Sequence, residues 1–191
     1  MTSLTMFVAL VALVAVERLV ELVVSRRNAE WSLAHGAVET GRDHYPVMVA
    51  LHTGFLVAML VEAFVRRPEV PAALAWSMLA LVLAAQGLRW WCIGTLGRRW
   101  NTRVIVLPGR PPVRSGPYRW LRHPNYVAVV IEGVALPLVH ACWLTAAVFT
   151  LANAALLTVR IRVENAALAS LPGPVPAARL PGRGGGAATD A

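Results

Sequence analysis

Two short stretches concentrate the side chains with chemical potential: RSGPYRWLRHPNY at 114–126 and RIRVE at 160–164. Gly116-Pro117 is a turn pair, and Pro124 biases His123 away from helical geometry, so the short segment 118–122 ends in a turn just before an apolar run. His123 and Asn125 then stand at the start of a helix, where free backbone N–H groups and the helix dipole favour a carboxylate or another anionic group. Both stretches are expected at the same end of a terminal helical hairpin, so residues about 40 positions apart converge on one site. A third signal is Glu132, near the middle of the apolar run. An ionisable group at that depth is functional by default, with a structural pairing to Arg89 as the alternative. A metal or disulfide framework is unsupported: Cys92 and Cys142 lie fifty positions apart without CxxC or Cys/His spacing, and free buried thiols are expected.

The elements that must position these residues are those of a membrane protein. Of the 191 residues, 57% are apolar and only 15% charged, with a mean hydropathy of +0.58. Typical soluble domains carry about 25% charge. This composition excludes disorder over most of the length and makes a soluble globule a poor fit. Five apolar runs stand out, at 4–24, 46–65, 72–93, 125–139 and 142–159. The first is long enough to cross a hydrocarbon core of about 30 Å, and its flanks do not fit a cleaved signal. Glu17, Arg18 and Glu21 fall on one face of it, so they are expected inside the bundle or near the interface with their charges paired. The fourth run is short and contains Glu132 and Pro137, which predicts a tilted or internally packed arm. Segments 25–45, 94–124 and 160–191 hold 14 of the 18 arginines, whereas Arg66 and Arg67 lie on the other side, so the first set is expected to be cytoplasmic. Basic loops at an anionic membrane face account for most of the net charge of +8 without nucleic acid, and the interleaved aromatics of a strand-binding groove are missing. The chain reads as one membrane-embedded domain over 1–171. The remainder, 172–191, with PGPVP and PGRGGG close to the boundary, is expected to be disordered.

The pattern GPYRxxRHPxY, followed by a hairpin and RIxxE, resembles the isoprenylcysteine carboxyl methyltransferase family. Here it reads Gly116, Pro117, Tyr118, Arg119, Arg122, His123, Pro124, Asn125, Tyr126, then Arg160, Ile161 and Glu164. Leu96-Gly97, Trp100 and Val113 also fit, so the resemblance covers about 86–170. It implies an all-α integral membrane fold of about five transmembrane helices ending in a helical hairpin. A cytosolic cap would bind S-adenosylmethionine, and a lipid-like acceptor would enter from the bilayer. The chain departs from the family at Ala128, where a glycine is usual, and at Asn165, where members often have a second glutamate. The amino-terminal half, with RNAEW at 27–31 and HGAVETGRDHYP at 35–46, is similar to a bacterial branch that methylates alkylpyrones and alkylresorcinols.

The resemblance implies a cofactor-binding set of Tyr118, Arg119, Arg122, His123, Asn125, Tyr126, Arg160 and Glu164, with His123 and Glu132 as catalytic candidates and Gln86, Trp90 and Glu132 on the acceptor side. No metal is required. Each has a plainer reading: Glu164 as an interfacial partner of Arg160 or Arg162, His123 as a helix-start residue, and the tyrosines as interface anchors. Arg119 and Arg122 can equally face lipid headgroups. Trp90, Trp91, Trp100 and Trp120 fit an interface belt better than a cavity wall. Glu17, Glu21, His44 and His52 can line the acceptor cavity, though ordinary helix packing explains them as well. The activity implied is methyl transfer to an oxygen of an amphipathic lipid, with an alkylpyrone or alkylresorcinol hydroxyl favoured over a prenylcysteine carboxylate. A nicotinamide-dependent membrane reductase and a non-enzymatic membrane protein are the other classes.

Overall fold

The computed structural model describes residues 3–169, and the expectation for 172–191 lies outside the described residues. Five helices make up most of it: α1 (Ser3–Ala34), α2 (His44–Arg66), α3 (Ala72–Leu96), α4 (Pro124–Leu138) and α5 (Trp143–Ala169). Helices α2, α3 and α5 are each long and apolar enough to cross a membrane, and α4 is a shorter apolar helix. Large apolar side chains such as Leu13, Val57, Leu83 and Leu151 point outward on four helices, as an all-α membrane protein facing lipid requires.

Helix α1 runs ten residues beyond the apolar run that predicted it. At 1.5 Å per residue its 32 residues span about 48 Å, so its last turns stand beyond a hydrocarbon core of about 30 Å. Its buried residues, Phe7, Val11, Val14, Glu21, Ser25, Ala29 and Ser32, recur at steps of three, four or seven residues. One continuous face therefore packs apolar at one end of the molecule and polar at the other. Helix α5 likewise continues to Ala169, which makes RIRVE helical and puts Arg160 and Glu164 one turn apart on one face.

The half of the bundle away from those extensions is the apolar core, built on Phe7, Val11, Phe55, Met59, Leu136 and Phe149. Apolar burial gains little over lipid, so close approach of backbones through small residues carries the packing. Ala63, Ala85, Ala128 and Ala135 are all fully or almost fully buried. Gly133 shows the same need at its sharpest: a Cβ there would lie 2.5 Å from the Phe149 ring. The expected α4–α5 hairpin is present, with Ala141 in the left-handed region and the Cys142 N–H donating to the Pro137 carbonyl at 3.0 Å. Glu62 of α2 is buried beside it. Its carboxylate accepts from the N–H groups of Leu144 (3.1 Å) and Thr145 (2.7 Å), satisfying the start of α5.

The sheet is small and was not foreseen. Strands β1 (Val38–Thr40) and β2 (Val104–Val106) pair antiparallel, with Glu39 opposite Ile105. This pairing holds loops 35–43 and 100–115 at the same end of the bundle, where both strands also pack on α5. The arginine-rich segments 25–45 and 94–124 therefore share one face with residues 160–169 of α5.

Candidate active site

The extension of α1 is the post on which the cap is built. Ser25 Oγ accepts from the Thr102 N–H at 2.9 Å and bonds the Thr102 hydroxyl at 2.8 Å. One turn on, the Asn28 amide donates to the carbonyls of Trp100 (2.8 Å) and Gly97 (3.2 Å), and the Arg98 guanidinium lies over the Trp31 ring. The RNAEW segment is thus a fastening for 97–102. The Glu39 carboxylate, largely buried, holds Arg42 at 3.1 Å and Arg103 at 3.5 Å, tying the two strands together.

The motif turn is held as tightly. Gly116 has a φ of +55°, and a Cβ there would run into the Thr95 side chain and meet the Trp91 indole nitrogen at 3.1 Å, so both conformation and space demand glycine. The buried Pro117 follows, and Tyr118 is carried to the α3 wall beside Cys92. Burial, then the Cys92 neighbour, push the Tyr118 phenol far above its usual range, which keeps it a neutral hydrogen-bonding group. Helix α4 starts at Pro124, whose missing N–H costs nothing at the first helical position, with His123 as the non-helical residue before it.

These elements enclose a cleft of about 220 Å³ between the cap loop, the motif turn and the end of α5. Tyr118, Arg122, His123, Asn125, Tyr126, Arg160 and Glu164 all line it. At its base the buried Arg160 Nε donates to the Tyr126 hydroxyl at 2.8 Å, and that hydroxyl donates to Glu164 Oε2. A second Arg160 nitrogen donates to the Thr102 carbonyl. His123 stacks on Tyr126, with ring centroids 5.3 Å apart, and brings Nδ1 to 3.7 Å from Glu164 Oε1. Tyr126 and His123 are therefore the groups that join Glu164 to the first half of the motif. Arg119 is exposed, outside the cleft, with its guanidinium over the Trp120 ring.

A second cavity of about 170 Å³, mostly apolar, lies within the bundle between α1, α2, α4 and α5. Trp100, Asn101, Asn125, Tyr126 and Arg160 line both spaces and form the partition between them. On the α1–α4 side stands a charged cluster. Arg18 bonds Glu21 at 2.6 Å and Glu132 at 3.2 Å, and Arg89 bonds Glu132 at 2.6 Å and lies 3.7 Å from Glu21. The pairing expected for Glu17, Arg18 and Glu21 is thus present, and Glu132 meets Arg89 while also lining the cavity. Gln86 and Trp90 stand in the α1–α3 seam, both donating to Glu17, and neither lines the cavity. Glu21 and His52 line it; Glu17 and His44 do not.

Trp91 and Trp120 are exposed like the belt residues they were expected to be, whereas Trp100 is buried in the partition. Sequence reasoning also passed over Asn101, Thr102 and Asn153. Asn153 had a signal, as a lone amide in an apolar run; the other two depend on contacts with α1 that no local pattern carries. Of the two family departures, Ala128 is fully buried in α4 and Asn165 is exposed on α5. Among the described residues, no group of three or more His, Cys, Asp or Glu is placed to hold a metal ion.

Comparison with known proteins agrees with this arrangement. The chain is 37% identical over 163 residues to the uncharacterized protein YpbQ of Bacillus subtilis, covering 85% of this chain and 96% of that protein. It is 27% identical over 155 residues to an uncharacterized protein of Haemophilus influenzae, covering 81% and 90%. No solved structure matches. A sequence model of the isoprenylcysteine carboxyl methyltransferase family matches residues 78–170, so the stretch that holds the motif turn, the hairpin and the Arg160–Glu164 face is similar to that family.

Proposed function

We propose that this chain transfers a methyl group from S-adenosylmethionine to an oxygen of an amphipathic lipid, the favoured acceptor being the hydroxyl of a long-chain polyketide of the alkylpyrone or alkylresorcinol type. The observation that carries the reading is the pair of cavities with one shared wall. A polar cleft in the cap suits a charged, water-soluble donor. The largely apolar cavity within the bundle suits a chain-bearing acceptor, and Asn125, Tyr126 and Arg160 stand between the two.

The residues present fit the donor. Glu164 offers a carboxylate to hydroxyl or ammonium groups, Arg122 a guanidinium to a carboxylate, and Tyr118 and Tyr126 aromatic faces to a purine or a sulfonium. Trp100 Nε1, Asn101 Nδ2 and Asn125 Oδ1 are buried polar atoms without protein partners on the walls of that cleft, and a polar ligand would satisfy them. When bound, S-adenosylmethionine supplies an electrophilic methyl group on sulfur. The chain's own work is then to align an acceptor oxygen at the partition and to exclude water. Arg160, held by Tyr126 and Thr102, keeps the partition fixed. His123 and Glu132 are the groups proposed to take a proton or a hydrogen bond from the acceptor.

Purified protein incubated with methyl-labelled S-adenosylmethionine and, separately, an alkylresorcinol, a prenylcysteine and a lipid extract of the host tests this. Label in the aryl ether of the resorcinol is the expected result. Label only in the prenylcysteine ester would replace the acceptor, and label in none of the three would overturn the reading.

A further inference from the structure

We infer that His52 and Asn153 are specificity-determining residues of the inner cavity, holding a hydroxyl of the acceptor other than the methylated one and so selecting a neutral hydroxyl-bearing ring over a carboxylate head. The inference rests on the methyl-transfer reading above and deepens it. His52 sits on the cavity wall one turn below Met48, with its ring edge-on to Phe149 at 5.4 Å. Its Nδ1 is 2.8 Å from the Met48 carbonyl, which can only accept, so the proton belongs on Nδ1 and Nε2 keeps a bare lone pair. Asn153, one turn from Phe149 along α5, also lines the cavity. It is only 3% exposed, and its Oδ1 has no partner. A buried amide with an unmade bond is costly in an apolar wall unless a ligand completes it.

The charges around the cavity point to the same class of acceptor. Three carboxylates, Glu17, Glu21 and Glu132, are clustered with only two guanidiniums, Arg18 and Arg89, and both guanidiniums are bonded to carboxylates. Arg160, the remaining arginine on the wall, is engaged by Tyr126 and Thr102. On the wall itself Glu21 and Glu132 stand with Arg18, Arg89 and Arg160, so a carboxylate entering here would find every guanidinium already engaged and would have to displace an existing ion pair or hydrogen bond. A hydroxyl can donate to His52 Nε2 and exchange hydrogen bonds with the Asn153 amide, and it disturbs neither.

The test is calorimetric binding of three probes to detergent-purified full-length protein: 5-pentadecylresorcinol, its dimethyl ether and palmitate. Wild type is expected to bind the diol about tenfold or more tightly than the ether, and more tightly than palmitate. His52→Phe and Asn153→Leu should each bring diol and ether to within about threefold, while leaving S-adenosylmethionine affinity within about twofold, which also reports folding. Equal binding of diol and ether by wild type, preference for palmitate, or an undiminished diol preference in both variants would overturn the inference. Labelled methyl transfer on the same samples separates the two readings. A wild type that transfers no methyl group yet shows the His52- and Asn153-dependent preference loses the methyltransferase reading and keeps the pocket assignment. Transfer with the preference unchanged in both variants does the reverse.

Discussion

At the scale of single residues, the groups at the base of the cleft form one connected unit. Tyr126 hands a hydrogen bond from the buried Arg160 to Glu164, and His123 stacks over it. Glu164→Gln keeps the size and removes the charge, so the charge-assisted bonds proposed between Glu164 and the donor would be lost. Calorimetry should show cofactor affinity weaker by about 1.5–3 kcal/mol, roughly ten- to a hundredfold. Wild-type affinity in a folded variant would reduce Glu164 to a partner of Tyr126 and His123. Glu132→Gln should behave differently, because it strips compensation from Arg18 and Arg89. Removing one partner of such a cluster leaves charge unpaired at depth, and the cost can reach about 3 kcal/mol. A lower melting temperature in detergent and slower turnover, with cofactor affinity intact, are expected; unchanged stability would mean that water reaches the cluster freely. The motif residues were legible in the sequence because turn chemistry and helix start fix them locally. Gln86 and Trp90 were assigned to the acceptor side and stand instead in the α1–α3 seam, since residues on adjacent turns of one helix can face a cavity or a neighbouring helix at the same hydropathy. Asn153 was passed over, and His52 was named only beside three others that can line the cavity, for a related reason: a lone polar residue in a span looks the same whether a neighbour or a ligand satisfies it.

At the scale of elements, all five apolar runs became helices, because their length and lipid-facing composition leave the backbone no other way to satisfy itself. What hydropathy could not report was where a helix ends after leaving the lipid. Both α1 and α5 continue about ten residues further, and those turns carry Ser25, Asn28, Arg160 and Glu164. The strands were missed because each has three residues and its pairing joins positions more than sixty apart, beyond any local periodicity. Packing between α4 and α5 gives the sharpest prediction at this scale. The Phe149 ring that confronts Gly133 is itself stacked on Phe55 at 4.0 Å and edge-on to His52, so it cannot retreat without disturbing the cavity wall. Gly133→Ala should therefore lower stability by about 1–3 kcal/mol and raise the acceptor KM several-fold, with cofactor affinity unchanged. An unaltered KM would show that Phe149 moves away from the cavity.

At the scale of the whole molecule, the two ends differ in kind. One end is apolar, tightly packed, closed by Glu62 over the start of α5, and among the described residues carries only Arg66 and Arg67 as arginines. The other holds the strands, both motif halves and most of the arginines. We propose that the arginine-rich end faces the cytoplasm: the positive-inside rule favours that orientation, and the proposed donor, a charged nucleoside such as S-adenosylmethionine, does not cross the bilayer to reach an external cleft. The natural cysteines, Cys92 and Cys142, are buried, so a cysteine added at an exposed site reports alone. Ser115→Cys changes one atom at an exposed position of the cap, and Pro68→Cys lies in the short α2–α3 connection at the opposite end. With a membrane-impermeant maleimide on intact cells, Pro68→Cys should label and Ser115→Cys should not, and permeabilisation should make Ser115→Cys reactive. The reverse pattern would turn the cleft outward, away from the compartment where its donor is made, and the cofactor assignment would fall with the topology even if every motif contact in the fold stood.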